Sequence, residues 1–460
     1  MLPANDNFKI SAIAWVSKNR EQLLFRSIKS FSDAVKETKT VFSFYVSGTD
    51  LGPEEKKVNS INKKELCEKL IEKTKDKGVP PEIIEFALLG DPKLESLSVI
   101  DTGTNRNALL LTLIDKVFLT VDDDVLCKFS STESFSDSEV IFDPNLKQRN
   151  SQFFLDEFDC EKAIDYPEKS ELTEFLLAHE KLLNYKKEDS LESRVVATVS
   201  GIHGDSGVGS PRDSLLMSFD SPELYKAAIK NKLILRYVNS PTVTNRPFFM
   251  SMCACLDNRV MLPPFFPVGR NQDGIFGSAT ITCIPNSFIG YVPWVVRHDS
   301  IPKREYKDGE VSIWRFRISE MINLLLENFS RANILNNSLK DSERYEIVGK
   351  YLENFSKQEP DVFIESLRKL CVPRLDEYTN YLRRLIILKR DAVPQQLKDI
   401  SDCIENIELT KRKDDFCIPE ELLKIEDINE SIKLAKSLIF KYGALLRFWP
   451  EIHYAAKDIK

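Results

Sequence analysis

This chain of 460 residues contains no apolar run long enough to cross a bilayer, and no Cys-x-x-Cys pair occurs among its nine cysteines. The first absence removes a transmembrane protein from consideration. The second removes the common zinc spacings and leaves buried free thiols of a reducing compartment as the expectation. The pair Cys253 and Cys255 alternates as two residues on one strand face do. Positive charge is also scarce: 64 Lys and Arg face 71 Asp and Glu, for a net charge of −7. Broad nucleic-acid binding is therefore not expected, although a local basic groove is compatible with that balance. Glycine is missing from the turn "VSKNREQ" after the first apolar run, where a nucleotidyltransferase would carry a Gly-rich basic phosphate loop. There is no internal repeat and no low-complexity tract. The N-terminus has no basic lead and reads as a first strand, so a cytoplasmic protein is expected.

What the chain does have is alternation. "KISAIAWVSKNREQLLFRSIKSF" reads as a buried strand, a polar turn and a helix with Leu23, Leu24, Ile28 and Phe31 at helical spacing. "TVFSFYVSGTD" is a second strand. "KKELCEKLIEKTKDKG" and "PPEIIEFALLG" are helices, the latter opened by prolines, and "NALLLTLID" is a third helical piece before the strand "KVFLTV". Strand–helix alternation predicts an α/β domain with a mainly parallel, Rossmann-like sheet flanked by helices. Residues 130–215 read as an insertion of acidic loops with one helix, "ELTEFLLAHEKLLNY". The glycine-dense "SGIHGDSGVGSPRDS" reads as a loop: a lid over a substrate, or a plain surface turn. The expected division is an α/β domain over 1–310 and a C-terminal helical domain over 311–460. Arg383, Arg384, Lys389 and Arg390 in that tail read as a solvated face.

The chemistry concentrates at Asp122, Asp123 and Asp124, directly after the strand "KVFLTV". Adjacent carboxylates repel unless a cation or hydrogen bonds offset the cost. The carboxyl edge of an open α/β sheet is where such proteins bind ligands. Oxygen-rich sites of this kind suit Mg²⁺ or Mn²⁺, often shared with substrate phosphates. Alternation along an extended chain puts Asp122 and Asp124 on one side, with Asp123 left as the rival ligand.

Four stretches in order resemble the GT-A fold glycosyltransferases, family-2-like and nucleotide-sugar dependent. "AWVSKNREQLLFRSIKSF" resembles their opening strand and nucleotide-binding turn. "GTNRNALLLTLIDKVFLTVDDDV" is similar to the segment ending in their Asp-x-Asp metal motif. "RNQDGIFG" resembles the later acidic motif near the acceptor, and "VPWVVRHD" the histidine that closes the metal site. The resemblance covers roughly residues 10–300 and departs from the pattern in its unbroken Asp triplet and in Gln272, where the family often has Glu. It implies transfer of a sugar from a UDP- or GDP-sugar to an acceptor hydroxyl, with inversion, on a glycan, lipid-linked or protein acceptor. It implies Asp122, Asp124 and His298 as ligands of Mn²⁺ or Mg²⁺. Ser17, Asn19, Arg20, Asp50, Arg106, Asp122 and Asp123 would line the nucleotide, and Asp273 would be the catalytic base. Gln272, His203, Asp205 and Trp294 would meet the acceptor, and Phe265 and Phe266 are either core or a stacking platform. The competing readings are a nucleotidyltransferase and a non-catalytic carbohydrate- or partner-binding protein on the same scaffold.

Overall fold

The computed structural model describes residues 9–38, 40–49, 58–95, 97, 102–132, 139–146, 149–169, 171–186, 193–206, 211–332, 335, 339–388 and 393–459. The chain runs β1 (Ala12–Val16), α1 (Glu21–Lys36), β2 (Ser43–Ser47), β3 (Val58–Ile61), α2 (Lys63–Thr74), α3 (Pro81–Leu89), α4 (Pro92–Glu95), α5 (Thr102–Thr112), β4 (Val117–Asp122) and β5 (Val125–Ser131). It continues with β6 (Ile141–Phe142), β7 (Arg149–Phe153), α6 (Glu157–Lys162), α7 (Leu172–Leu183), β8 (Arg194–Asp205), α8 (Pro222–Lys230), β9 (Leu233–Val238), β10 (Thr242–Thr244), β11 (Cys253–Asp257), α9 (Gln272–Cys283) and β12 (Ser287–His298). Five helices follow: α10 (Ile318–Arg331), α11 (Asp341–Ser356), α12 (Pro360–Leu388), α13 (Pro394–Thr410) and α14 (Ile428–Ile459).

Among the described residues, all twelve strands join one mixed sheet. The half β3-β2-β1-β4 is parallel, as the strand–helix alternation predicts. Beyond β4 the direction changes: β11 runs antiparallel to both β4 and β8, while β12 runs parallel to β8. The chain steps outward from β1 to β2 and β3, then returns through helices α2 to α5 to the other side of β1 as β4. The strand order therefore reverses between β1 and β4, and the crevice at the carboxyl ends of those two strands is the place such sheets reserve for ligands.

The helix expected over 171–185 forms as α7, but the segment 130–215 is more than a peripheral insertion, because it also supplies β8 in the middle of the sheet. The supposed loop from Ser200 is strand as far as Asp205. Its glycines misread as a turn signal. Gly204 has φ +122°, and a Cβ there would collide with the His298 carbonyl, so this glycine permits close approach of two strands. Gly207 to Ser210 lie outside the described residues.

The five C-terminal helices are not a detached unit. One continuous apolar core runs from Ala12 and Ala14 of β1 through Phe265 and Phe266 to Leu438, Tyr442 and Trp449 of α14. Tyr345 of α11 donates its hydroxyl to the Met261 carbonyl at 2.8 Å, and from α14 Tyr442 donates to Pro264 at 3.1 Å and the Trp449 indole N–H to Leu262 at 2.7 Å. The Pro-rich strip ahead of the candidate base is thus clamped from above. α11 and α14 cross at glycine on glycine: a Cβ on Gly349 would stand 2.5 Å from the Gly443 carbonyl oxygen. Phe265 and Phe266 are fully buried, the first stacked on Phe276 and the second edge-on to Tyr442, so they belong to the core and are not a sugar platform. All nine cysteines are free and buried. Arg383 and Arg384 are exposed, as a solvated face requires, while Lys389 and Arg390 lie outside the described residues. No helix among the described residues is long and apolar enough to cross a membrane.

Candidate functional site

β1 and β4 are adjacent and parallel, with Val16 in register with Asp122. Continuing one residue beyond that register brings Ser17 against the aspartate triplet. The Ser17 hydroxyl donates to Asp123 Oδ2 at 2.7 Å. Arg20, at the start of α1, forms ion pairs with both Asp123 and Asp124, the latter at 3.0 Å. Asp122 is held by a different cation: Arg106 on α5 reaches it at 2.5 Å and donates to the Thr120 hydroxyl at 2.9 Å. The expected same-side pair of Asp122 and Asp124 is therefore not what forms. The strand ends at Asp122, and the next two residues turn toward β5, so Asp123 and Asp124 share one arginine while Asp122 faces another.

β12 closes the other wall. Its last residue, His298, pairs in register with Val125, and the Asp299 amide donates to the Asp124 carbonyl at 2.8 Å. That contact sets the His298 imidazole beside the carboxylate, with Nε2 at 3.1 Å from Asp124 Oδ1. Arg26 of α1 ties the same corner to Asp299 at 2.8 Å. Asp273 sits in the first turn of α9, its Oδ1 accepting from the Gly274 amide at 3.0 Å.

The electrostatics separate the carboxylates. Burial pushes Asp123 up to about 7, with Arg20 pulling the opposite way and Asp124 adding to the rise. For Asp124 burial is again the largest influence and favours protonation. The charge and hydrogen bonding of His298, together with Arg20 and Arg304, outweigh it and hold Asp124 well below the usual carboxylate range. Burial raises Asp273, against the opposing charge of Arg106, and Asp122 adds a smaller upward push. Asp273, Arg106 and Asp122 are thus within electrostatic reach of one another across the crevice.

Several expected residues fall elsewhere. Trp294 is buried in the apolar core against Phe175, because inward-facing positions of a central strand have no route to solvent. His203 is fully buried, its Nδ1 2.8 Å from the Tyr166 hydroxyl, and burial lowers it to about 4. Asp205 is buried, its carboxylate accepting from the Ser300 hydroxyl and, at 3.1 Å, from the Arg304 amide. None of these three offers its side chain to an acceptor. Asn19 is exposed in the turn with φ 57°, and Gln272 is half-buried at the start of α9. Asp50 lies outside the described residues.

Sequence reading missed Arg304, whose charge acts on both Asp124 and Lys232. "SIPKREYKDG" looks like a solvated loop, and only the Asp205 anchor, invisible in sequence, brings Arg304 to the site. Among the described residues, no group of three or more His, Cys, Asp or Glu side chains is arranged to hold a metal ion. The pair Asp124 and His298 is nonetheless compatible with one: both side chains are buried and in contact, and His298 Nδ1 is buried without a partner among the described residues. A divalent cation commonly takes one or two protein ligands and completes its shell with water and substrate phosphates. No family model matches the chain, and neither does a curated protein or a solved structure.

Proposed function

We propose that this chain is a divalent-metal-dependent glycosyltransferase of the GT-A type, transferring a sugar from a nucleoside diphosphate donor to an acceptor hydroxyl. The observation that carries the reading is the convergence of Ser17, Arg20, Asp122–Asp124, Arg106 and His298 at the β1/β4 reversal. Four stretches chosen for their motif resemblance, distant in sequence, contribute to that one crevice or stand within electrostatic reach of it.

Ser17 and Arg20 stand where the nucleotide would enter, at the switch point of the sheet. Asp124 and His298 would hold the cation, which supplies positive charge beside the donor diphosphate. Arg106 fixes Asp122, and its charge acts on Asp273. Asp273, raised above an ordinary carboxylate, is the base. It accepts the proton of the acceptor hydroxyl while that oxygen bonds to the anomeric carbon. The bond from that carbon to the diphosphate oxygen breaks on the opposite face, its electron pair leaving with the diphosphate, and the configuration inverts.

Release of nucleoside diphosphate from a panel of nucleotide sugars with Mn²⁺ tests the assignment. Asp273→Asn is expected to lose transfer at least a hundredfold while donor binding stays within threefold of wild type. Undiminished transfer in Asp273→Asn removes the base role.

A further inference from the structure

The carboxylate oxygens of Asp123 and Asp124 all face protein groups at ion-pair or hydrogen-bond distance. Asp123 Oδ2 accepts from the Ser17 hydroxyl at 2.7 Å, and Asp123 Oδ1 pairs with Nη2 of Arg20. Asp124 Oδ2 pairs with Nη1 of the same guanidinium at 3.0 Å, and Asp124 Oδ1 stands 3.1 Å from His298 Nε2. One planar fork thus spans two adjacent carboxylates, which an arginine can do and a lysine cannot. The two sides of this contact differ in freedom. The side chains of Asp123 and Asp124 are 0% and 3% exposed, whereas that of Arg20 is 44% exposed. Arg20 can leave toward solvent with its charge hydrated, a route the enclosed carboxylates lack. It precedes the first turn of α1 without a side-chain capping bond, and it follows Asn19, whose φ of 57° belongs to a turn.

We propose that Arg20 is the resting occupant of the cation seat, and that a divalent cation binds by exchange with it, Arg20 swinging away from Asp123 and Asp124 as the ion takes Asp124. Adjacent buried carboxylates need positive charge close by, and the guanidinium and the ion are two ways of meeting that need. They do not share the place readily, because an ion seated on Asp124 would stand against the guanidinium, where like charges repel most strongly. The apparent affinity for the ion therefore falls by the fraction of molecules in which the seat is open. The inference rests on the glycosyltransferase reading only for the presence of a seat at Asp124 and His298. The exchange itself needs neither nucleotide nor transfer.

The test is calorimetric titration of the full chain with Mn²⁺ in the absence of nucleotide. Arg20→Gln is expected to bind Mn²⁺ at least tenfold more tightly than wild type, which corresponds to a wild-type seat open about a tenth of the time. Arg20→Lys keeps the charge but not the fork, and its affinity is expected to fall between the two. Equal affinity of Arg20→Lys and wild type would assign the gain to charge at a distance and overturn the exchange. Phenylglyoxal labelling of wild type, read by peptide mass spectrometry, follows the side chain itself and does not depend on the variants folding. Arg20 is expected to label at least fivefold faster at saturating Mn²⁺, while Arg383, on the exposed face of α12, labels at an unchanged rate. Unchanged labelling of Arg20 in protein that binds Mn²⁺, or no binding of Mn²⁺ by wild type and folded Arg20→Gln alike, also overturns the exchange. Either result leaves metal-dependent nucleotide binding to be measured separately, so the two readings fail independently.

Discussion

Arg106→Met puts the crevice wall to the test. The Arg106 side chain is 4% exposed and its partner Asp122 is 29% exposed, at 2.5 Å. Removing one partner of a buried ion pair costs about 3–5 kcal/mol, mostly because the other charge stays buried alone. Asp122 keeps some contact with water, so the loss belongs at the low end, about 3 kcal/mol. Asp122→Asn leaves the more deeply buried guanidinium without its counter-charge but with an amide oxygen to bond, for about 2 kcal/mol. In the double variant neither charge is stranded. Its cost is therefore expected to fall short of the sum of the singles by about 1–2 kcal/mol. Guanidinium chloride unfolding followed by tryptophan fluorescence measures all four proteins, with unchanged slopes confirming a common reference. Additivity within about 0.5 kcal/mol would show that Arg106 and Asp122 do not act as a pair and would refute their role in the crevice wall.

The pH dependence of stability reports on Asp123. Its carboxyl titrates near 7 in the fold and near 3.8 in its ordinary state, so the folded protein binds the proton more tightly. The stability this contributes is complete below pH 3.8 and is lost as pH rises toward 7. Asp123→Asn is therefore expected to gain on wild type between pH 4 and 7, by at most about 1.4 kcal/mol per pH unit, with no further change above that. A difference independent of pH contradicts the upward shift of the buried Asp123 carboxyl. Gly349→Ala drives a methyl group against the Gly443 carbonyl oxygen across the α11–α14 crossing and is expected to cost about 1–3 kcal/mol in chemical denaturation. A neutral effect would mean that the two helices are free to separate.

Much of the first half of the fold was legible because its signals are local. Leu23, Leu24, Ile28 and Phe31 all face the core of α1 as their spacing demands. Pro81 opens α3 and Gly90 ends it, as their backbone preferences require. β8 was not legible. Gly201 and Gly204 carry the composition of a turn, and their real cause, the close approach of neighbouring strands, is a tertiary fact. The same limit applied to the site. The aspartates were placed from the strand end, and Ser17 and Arg20 from the family resemblance of the turn after the first strand; the fold brings them together. Alternation misassigned the partners within the triplet because it assumes an extended chain, and the strand ends at Asp122. Trp294, His203 and Asp205 looked accessible only because sequence does not reveal that β8 and β12 are interior strands.

The most direct measurement is a melting-temperature screen of UDP, GDP and their sugars against the full chain, with and without Mn²⁺. Binding to the folded state raises the melting temperature by mass action. A rise is expected with at least one nucleoside diphosphate; it requires the metal and disappears in Asp124→Asn and in His298→Ala. Folded protein showing no metal-dependent rise with any nucleotide, or an undiminished rise in both variants, would contradict the assignment of the β1/β4 crevice as a donor site.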